Sequence, residues 1–304
     1  MTERSPADLP TSVWITAQRD ARTQRSNGGY HPASTAHPAK MLPAIAAHAI
    51  THYTRPGDLV LDPMCGIGTT LVEAVRQGRN AIGVEYEPRW AITARTNLAA
   101  ARRRGDTGTG KVICADARHL TRTLAPAHRG KVALVLTSPP YGASLHGQVV
   151  STRESGRRGV AKFDYRYSHD PANLAHAGTD ALLDAFTTVL AECRRLLRPD
   201  GHVAITTRPW RERGELVDLP SAVIAAGRNA GLTPVERCVA LLAGLRDGHL
   251  VARPSFFQLK NIRDARAAGV PLHLIVHEDV LVFTATPTPP PEPSWPDAAH
   301  WSGS

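Results

Sequence analysis

The sequence predicts an α/β chain: a doubly wound, mostly parallel seven-stranded sheet with a terminal antiparallel strand. Three observations carry this. Short apolar runs recur at Leu59-Val60-Leu61, Ala81–Val84, Lys111–Cys114, Val132–Leu136 and His202–Thr206. Helical patterns separate most of them, and strands alternating with helices imply a parallel sheet covered on both faces. The first run enters a turn with Gly66 and Gly68, at the carboxyl end of a strand, where open α/β sheets bind ligands.

In chain order, Met41–Thr51 reads as a helix whose Ala44, Ile45, Ala47, Ala49 and Ile50 supply apolar surface. A second helix starts at Thr70 and ends at Gly78, and Pro88–Arg104 is a long third one. Ala181–Leu197 has periodic apolar positions and stops at Pro199-Asp200-Gly201. Leu219–Ala230 is the next helix, followed by strands near Pro234–Leu242 and Glu278–Ala285, the last two adjacent enough to close the sheet antiparallel. Residues 1–36, polar and mixed, read as a flexible N-terminal arm, and residues 37–285 as the main domain. Pro287, Pro289, Pro290, Pro291, Pro293 and Pro296 make residues 286–304 a disordered tail.

Of the 304 residues, 21% are charged and 42% hydrophobic, the balance of a globular chain with a real core. No apolar run approaches the roughly 20 residues needed to cross a bilayer, and the N-terminus lacks a signal-peptide apolar stretch, so a cytoplasmic location is expected. The net charge of +9 favours a polyanionic partner, nucleic acid first. Cys65, Cys114, Cys193 and Cys238 stand singly, which leaves a zinc ribbon or redox pair unsupported. Cys65 and Cys114 fall at strand ends and are expected to be buried free thiols. His146, His169 and His277 lack metal spacing, and no metal is assigned.

Three successive strand ends carry chemistry. Leu59–Thr70 runs from an apolar strand into Asp62, then Gly66 and Gly68, which let a backbone approach a ligand. Glu85 ends the second strand, where a carboxylate about 20 residues after the glycine turn accepts bonds from ribose hydroxyls. Asp116 ends the third, placed to accept a bond from an adenine amino group. The third glycine of G-x-G-x-x-G is missing, and no Lys-Ser/Thr follows as in a Walker A loop.

Here the chain resembles the amino-methyltransferases of DNA, the N4-cytosine and N6-adenine group, over roughly residues 35–285. Asp62-Pro63-Met64-Cys65-Gly66-Ile67-Gly68-Thr69-Thr70 looks like their S-adenosylmethionine loop. Thr137-Ser138-Pro139-Pro140-Tyr141 looks like their catalytic (D/N/S)-P-P-(Y/F) tetrapeptide, and His37-Pro38-Ala39-Lys40-Met41 like the segment before their cofactor loop. The resemblance implies a Rossmann-like fold and S-adenosylmethionine as cofactor. It implies Asp62, Pro63, Cys65, Gly66, Gly68 and Thr69 around the methionine part, Lys40 closing over it, Glu85 on the ribose and Asp116 on the adenine. Ser at the first tetrapeptide position tilts the target toward cytosine N4 over adenine N6. Asp62-Pro63-Met64-Cys65-Gly66 and Pro139-Pro140-Tyr141-Gly142 also resemble RNA guanine-N2 methyltransferases of the tRNA type, which usually carry a separate RNA-binding domain ahead of the catalytic one. DNA is therefore placed before RNA as partner, with a specificity or restriction partner left open.

The tetrapeptide suits attack by an aromatic amino group, whose lone pair is delocalised into the ring. The Ser138 hydroxyl and Pro139 carbonyl can accept its two hydrogens and expose the lone pair. Pro139 and Pro140 stiffen the turn, and Tyr141 can stack on the base. Carbon-5 methylation would need a cysteine after proline, and the chain has no Pro-Cys dipeptide. A target inside a duplex must be flipped out. An insertion over about residues 143–175 reads as the gripping surface, with Arg153, Arg157, Arg158, Lys162, Tyr165 and Arg166 for phosphate contact and stacking. Arg208-Pro209-Trp210 also stands near the expected target side.

Overall fold

The computed structural model describes residues 9–139, 149–150, 161–162, 179–212, 215–254 and 256–285. Its centre is an eight-stranded sheet. In chain order the strands are β1 (Val13–Trp14), β2 (Leu59–Asp62), β3 (Asn80–Glu85), β4 (Gly110–Cys114), β5 (Val132–Thr137), β6 (Leu197–Thr207), β7 (Thr233–Leu241) and β8 (His277–Thr284). They lie side by side as β1-β7-β8-β6-β5-β2-β3-β4. The run β4-β3-β2-β5-β6 is parallel. β8 is antiparallel to both of its neighbours. The expected Rossmann-like sheet is therefore present, with β8 inserted between β6 and β7.

Helices cover both faces. One core joins Val60, Leu134, Leu136 and Val280 to α2 (Pro43–Tyr53), α3 (Thr69–Arg76) and α4 (Pro88–Arg103). The other joins Leu61, Val135, Ile205 and Phe283 to α5 (Thr179–Arg194) and α6 (Leu219–Asn229). All six residues of β5 are buried, as an unbroken apolar strand between two helical layers must be. Ile45 and Ile50 of α2 are fully buried, each contributing about 1.5–3 kcal/mol of transfer free energy. Among the described residues, no helix is long and apolar enough to cross a membrane.

Two expectations are corrected. Residues 9–36, read as an arm, belong to the sheet and its helical cover. β1 adds an eighth strand, pairing Val13 with Val239 and Trp14 with Ala240 in parallel. Trp14 is buried, its ring 4.3 Å from that of His48. α1 (Ala21–Asn27) is capped by Asp20, which accepts the Thr23 N–H at 2.9 Å. The Tyr30 hydroxyl donates to Glu73 at 2.8 Å, and the His31 N–H donates to Asn97 at 2.8 Å. The segment is tied down by single polar contacts, which leave no periodicity to read. Cys114 is the second correction: it is exposed, whereas Cys65, Cys193 and Cys238 are buried.

The connection between β7 and β8 also holds structure that the apolar pattern does not announce. A small hairpin pairs Gly244–Arg246 with His249–Val251, and α7 (Phe256–Ala267) follows. Because β7 runs parallel to β6, this connection lies at the edge where β5 delivers Ser138.

Candidate active site

The glycine turn forms because two positions need a left-handed backbone. Gly66 has φ 51° and Gly68 φ 80°, values that side chains rarely tolerate. Gly68 then caps α3, leaving the first N–H groups of the helix directed at the turn. On Gly66, a β-carbon would also stand 2.8 Å from His37 Nε2.

A small cavity of about 40 Å³ opens here, room for one small polar group or a few waters. The Asp62–Thr70 loop contributes Asp62, Met64, Cys65, Gly66, Ile67, Thr69 and Thr70 to its wall. His37, Ala39, Lys40 and Met41 close one side, and Ser138 and Pro139 the other. Three segments far apart in sequence thus converge. Pro63 and Gly68 shape the turn without lining the cavity.

Asp62 is buried, and its Oδ1 accepts from the Met64 N–H and the Thr137 hydroxyl, each at 3.1 Å. Burial lifts its carboxyl to about 6, against the pull of bonds from Thr70, Met64 and Thr137. Glu85 is buried below the turn and accepts the Gly66 and Glu87 N–H groups, each at 2.8 Å. Burial lifts it to about 7, and those two N–H bonds oppose the rise. Each Glu85 oxygen keeps a lone pair for a hydroxyl donor.

Lys40 Nζ donates to the Thr35 carbonyl at 3.0 Å and to the His37 carbonyl, and burial lowers its pKa to about 8. It forms no ion pair with any described carboxylate. Thr69 Oγ1 is buried in the cavity wall without a hydrogen-bond partner. A cation, an unused hydroxyl and a helix N-terminus at one end suit a carboxylate. Glu85 does not line this cavity; it lies behind the turn, bonded to the Gly66 N–H, and its free lone pairs suit a diol. This donor and acceptor set is chemically compatible with S-adenosylmethionine: Lys40, Thr69 and the α3 N-terminus are the groups that could hold its methionine part, and Glu85 the group that could hold its ribose.

Asp116 is differently engaged from the sequence expectation. Arg118 grips both carboxylate oxygens through Nε at 3.1 and 2.9 Å and an NH2 contact of 2.6 Å, and its N–H adds a bond of 2.9 Å. Burial raises Asp116, but the Arg118 bonds outweigh it and hold the carboxyl below its usual range. An adenine amino group reaching Asp116 must share it with Arg118. Pro140, Tyr141, Arg153, Arg157, Arg158, Tyr165 and Arg166 lie outside the described residues. Of Lys162 the structure describes only the backbone, in a two-residue strand paired with Val149–Val150.

Three supports escaped the sequence reading. His37 is buried edge-on to Trp90, ring centres 4.6 Å apart, and burial lowers its pKa to about 3, so it stays neutral. Asn97 donates to the Ile67 carbonyl at 2.8 Å, fixing the glycine turn from α4. A lone amide on an apolar helix face, between Ala94 and Ala101, is the signal that could have found it. Arg25 donates to the Met41 carbonyl at 2.9 Å and lies 3.5 Å from that of Lys40. It thereby holds the segment that presents Lys40. Arg25→Met keeps the stem but loses these bonds. The expected result is a cofactor Kd about tenfold higher, equivalent to about 1.4 kcal/mol, with kcat unchanged at saturating cofactor. Titration calorimetry and a KM-against-kcat comparison check it.

Residues 3–94 match the family model described as DNA methylase. Over 110 residues the chain is 36% identical to the tRNA (guanine(10)-N2)-dimethyltransferase of Methanocaldococcus jannaschii, covering 36% of this chain and 30% of that protein. The protein of the same description from Methanothermobacter thermautotrophicus is 34% identical over 109 residues, with the same coverages. The type II methyltransferase M.MjaII of Methanocaldococcus jannaschii is 31% identical over 70 residues, covering 23% of this chain and 12% of that one. The chain thus spans at most 30% of the length of these curated relatives. Over residues 3–94 the chain is thus similar to the family described as DNA methylase, and over 70 to 110 residues to methyltransferases named for tRNA and for a type II system.

Proposed function

We propose that the chain transfers a methyl group to an exocyclic amino nitrogen of a nucleic-acid base. The observation that carries this reading is the single cavity wall shared by the Asp62–Thr70 loop and Ser138-Pro139. S-adenosylmethionine, when bound, supplies an electrophilic methyl group on a sulfonium. Lys40 and the α3 N-terminus hold the carboxylate end, and Glu85 holds the ribose hydroxyls. The Ser138 hydroxyl and Pro139 carbonyl accept the two amino hydrogens of the base, bend the amino group out of conjugation and aim its lone pair at the cofactor side. Positioning and stabilisation of the developing ammonium then carry the rate. Tyr141 is assigned to stacking on the base.

DNA, with cytosine N4 ahead of adenine N6, is the favoured target: the matched family model is of DNA methylases, and Ser opens the tetrapeptide. A second reading, a guanine-type amino group in tRNA or another RNA, is favoured by Asp62-Pro63-Met64-Cys65-Gly66 and by the tRNA-modifying relatives. Purified protein with labelled cofactor, offered DNA and RNA, followed by nucleoside mass spectrometry, separates them. N4-methylcytosine in DNA supports the first reading, and N2-methylguanine in RNA replaces it with the second. No label in either polymer overturns both.

The raised Glu85 sets a pH dependence. As pH falls through about 7 the carboxylate takes up a proton and loses acceptor capacity, so cofactor affinity is expected to fall. Glu85→Gln is expected to bind weakly with a flat profile, and calorimetric titration at several pH values checks it. In the ligand-free protein, folded Asp62 and Glu85 bind protons more tightly than in the unfolded chain. Their contribution to stability therefore declines as pH rises from about 4 through about 7.

A further inference from the structure

We propose that the rim built by the residue 17–22 segment and the 244–251 hairpin grips the phosphates of the nucleic-acid strand that carries the target base. This rests on the function proposed above, and it uses residues other than those of the 143–175 insertion. The geometry begins with sheet register. Thr137 pairs with Ile205, which places Ser138 level with Thr206; Thr206 pairs with Val280, and Val280 with Cys238. β7 continues three residues past that level to Leu241, where it pairs with His277. At the usual rise per residue, the tips of β7 and β8 stand about 10 Å above Ser138. They form a wall at one side of the candidate active site, β8 two strand spacings from β5 and β7 three, or about 14 Å, away.

The hairpin crowns this wall and is bound to the N-terminal segment. Leu245 N–H donates to Gln18 Oε1 at 3.2 Å, and Gln18 Nε2 donates to the Leu245 carbonyl at 3.3 Å. Arg253 donates to the Ala17 carbonyl at 2.6 Å and to that of Gln18 at 3.1 Å. Arg19 and Arg246 each directly follow a member of the reciprocally bonded Gln18–Leu245 pair. Arg22 follows on the first turn of α1, and His249 pairs with Arg246 across the hairpin. All four are exposed, and Arg19, Arg22 and Arg246 form no ion pair among the described residues. Asp20 is turned to capping α1 through Thr23.

The charge of the connection agrees. Residues 242–276 carry five Lys or Arg against two Asp or Glu. Lys260 of this set pairs with Asp264 and Arg253 is bound to main-chain carbonyls; Arg19, Arg22 and Arg246, unpaired with carboxylates among the described residues, are the cations that a polyanion would meet with release of counterions. At one phosphate per 3.4 Å of strand, a lateral offset of about 14 Å combined with a rise of about 10 Å, about 17 Å in all, corresponds to about five nucleotides from the base presented to Ser138. A strand entering the site would thus cross the rim within one binding footprint.

The test compares two double variants that remove equal charge. Arg19→Ala with Arg246→Ala acts on the rim. Arg102→Ala with Arg103→Ala acts on exposed residues at the end of α4, on the opposite edge of the sheet. Binding of a duplex DNA oligonucleotide and, separately, of a tRNA transcript is measured by fluorescence anisotropy across a salt series, with cofactor affinity measured alongside. The expected result is that the rim variant weakens binding at least about fivefold and lowers the salt slope by about two. The α4 variant leaves both unchanged, and cofactor affinity is the same in all three proteins. The polymer that responds identifies the source of the phosphates. Equal losses in both variants, or none in the rim variant, overturn the proposal while leaving the function above intact. Absence of wild-type binding to either polymer overturns that function as well.

Discussion

Asp62→Ala is expected to lower cofactor affinity at least about 100-fold, equivalent to about 2.7 kcal/mol. The carboxylate stands in the cavity wall at the head of the glycine turn, and it also receives Met64 N–H and the Thr137 hydroxyl. Alanine leaves the buried Thr137 hydroxyl and the half-buried Met64 N–H without this acceptor, which costs about 1–3 kcal/mol of stability. The Met64 contact shapes the turn, so its loss also loosens the backbone at Gly66. Asp62→Asn retains a carbonyl acceptor and separates the two effects. It is expected to keep most of the thermal stability and still bind cofactor weakly. Calorimetry for binding and chemical denaturation for stability provide the measurements. Wild-type affinity in Asp62→Ala would remove this carboxylate from the cofactor site.

Ser138→Ala is expected to reduce kcat by about 100- to 1,000-fold, with a much smaller change in cofactor Kd. The reasoning is geometric. Ser138 leaves β5 directly after Thr137, whose hydroxyl is anchored on Asp62. The Ser138 side of the cavity is therefore coupled to the Asp62–Thr70 loop through one hydrogen bond of 3.1 Å. Removing the Ser138 hydroxyl deletes an acceptor for the amino hydrogens without disturbing that bond. Single-turnover rates at saturating cofactor isolate this step. An unchanged rate would mean that the base is held by other groups.

The sheet was legible because its central strands are buried on both faces, and residues such as Val132–Leu136 must then read as uninterrupted apolar runs. The glycine turn was legible because Gly66 and Gly68 answer a backbone requirement that few other residues meet. The N-terminal segment was not. Arg25, Tyr30 and Asn97 act through individual hydrogen bonds across long sequence separations, and polar residues used once look like solvent-facing ones. Cys114 misled for a related reason: β4 is the edge strand, so its carboxyl end is less covered than those of β2 and β3. Asp116 was located at the expected strand end, but its pairing with Arg118, two residues on, is a side-chain choice that no periodicity encodes. The hairpin did leave a signal. Asp247-Gly248 takes positive φ at both positions, 47° and 75°, the backbone of a tight two-residue turn that Asp-Gly favours.

β1 pairs with a strand more than 220 residues away in sequence. Contacts of such separation form late, because a long loop must close before they are rewarded. The same N-terminal segment runs on through Arg25 to Lys40 and floors the cavity. The segment that carries β1 is thus among the last to find its place. Assembly of the cofactor cradle waits on β7, so a chain interrupted before residue 233 would carry the whole glycine turn and yet lack the partner for β1.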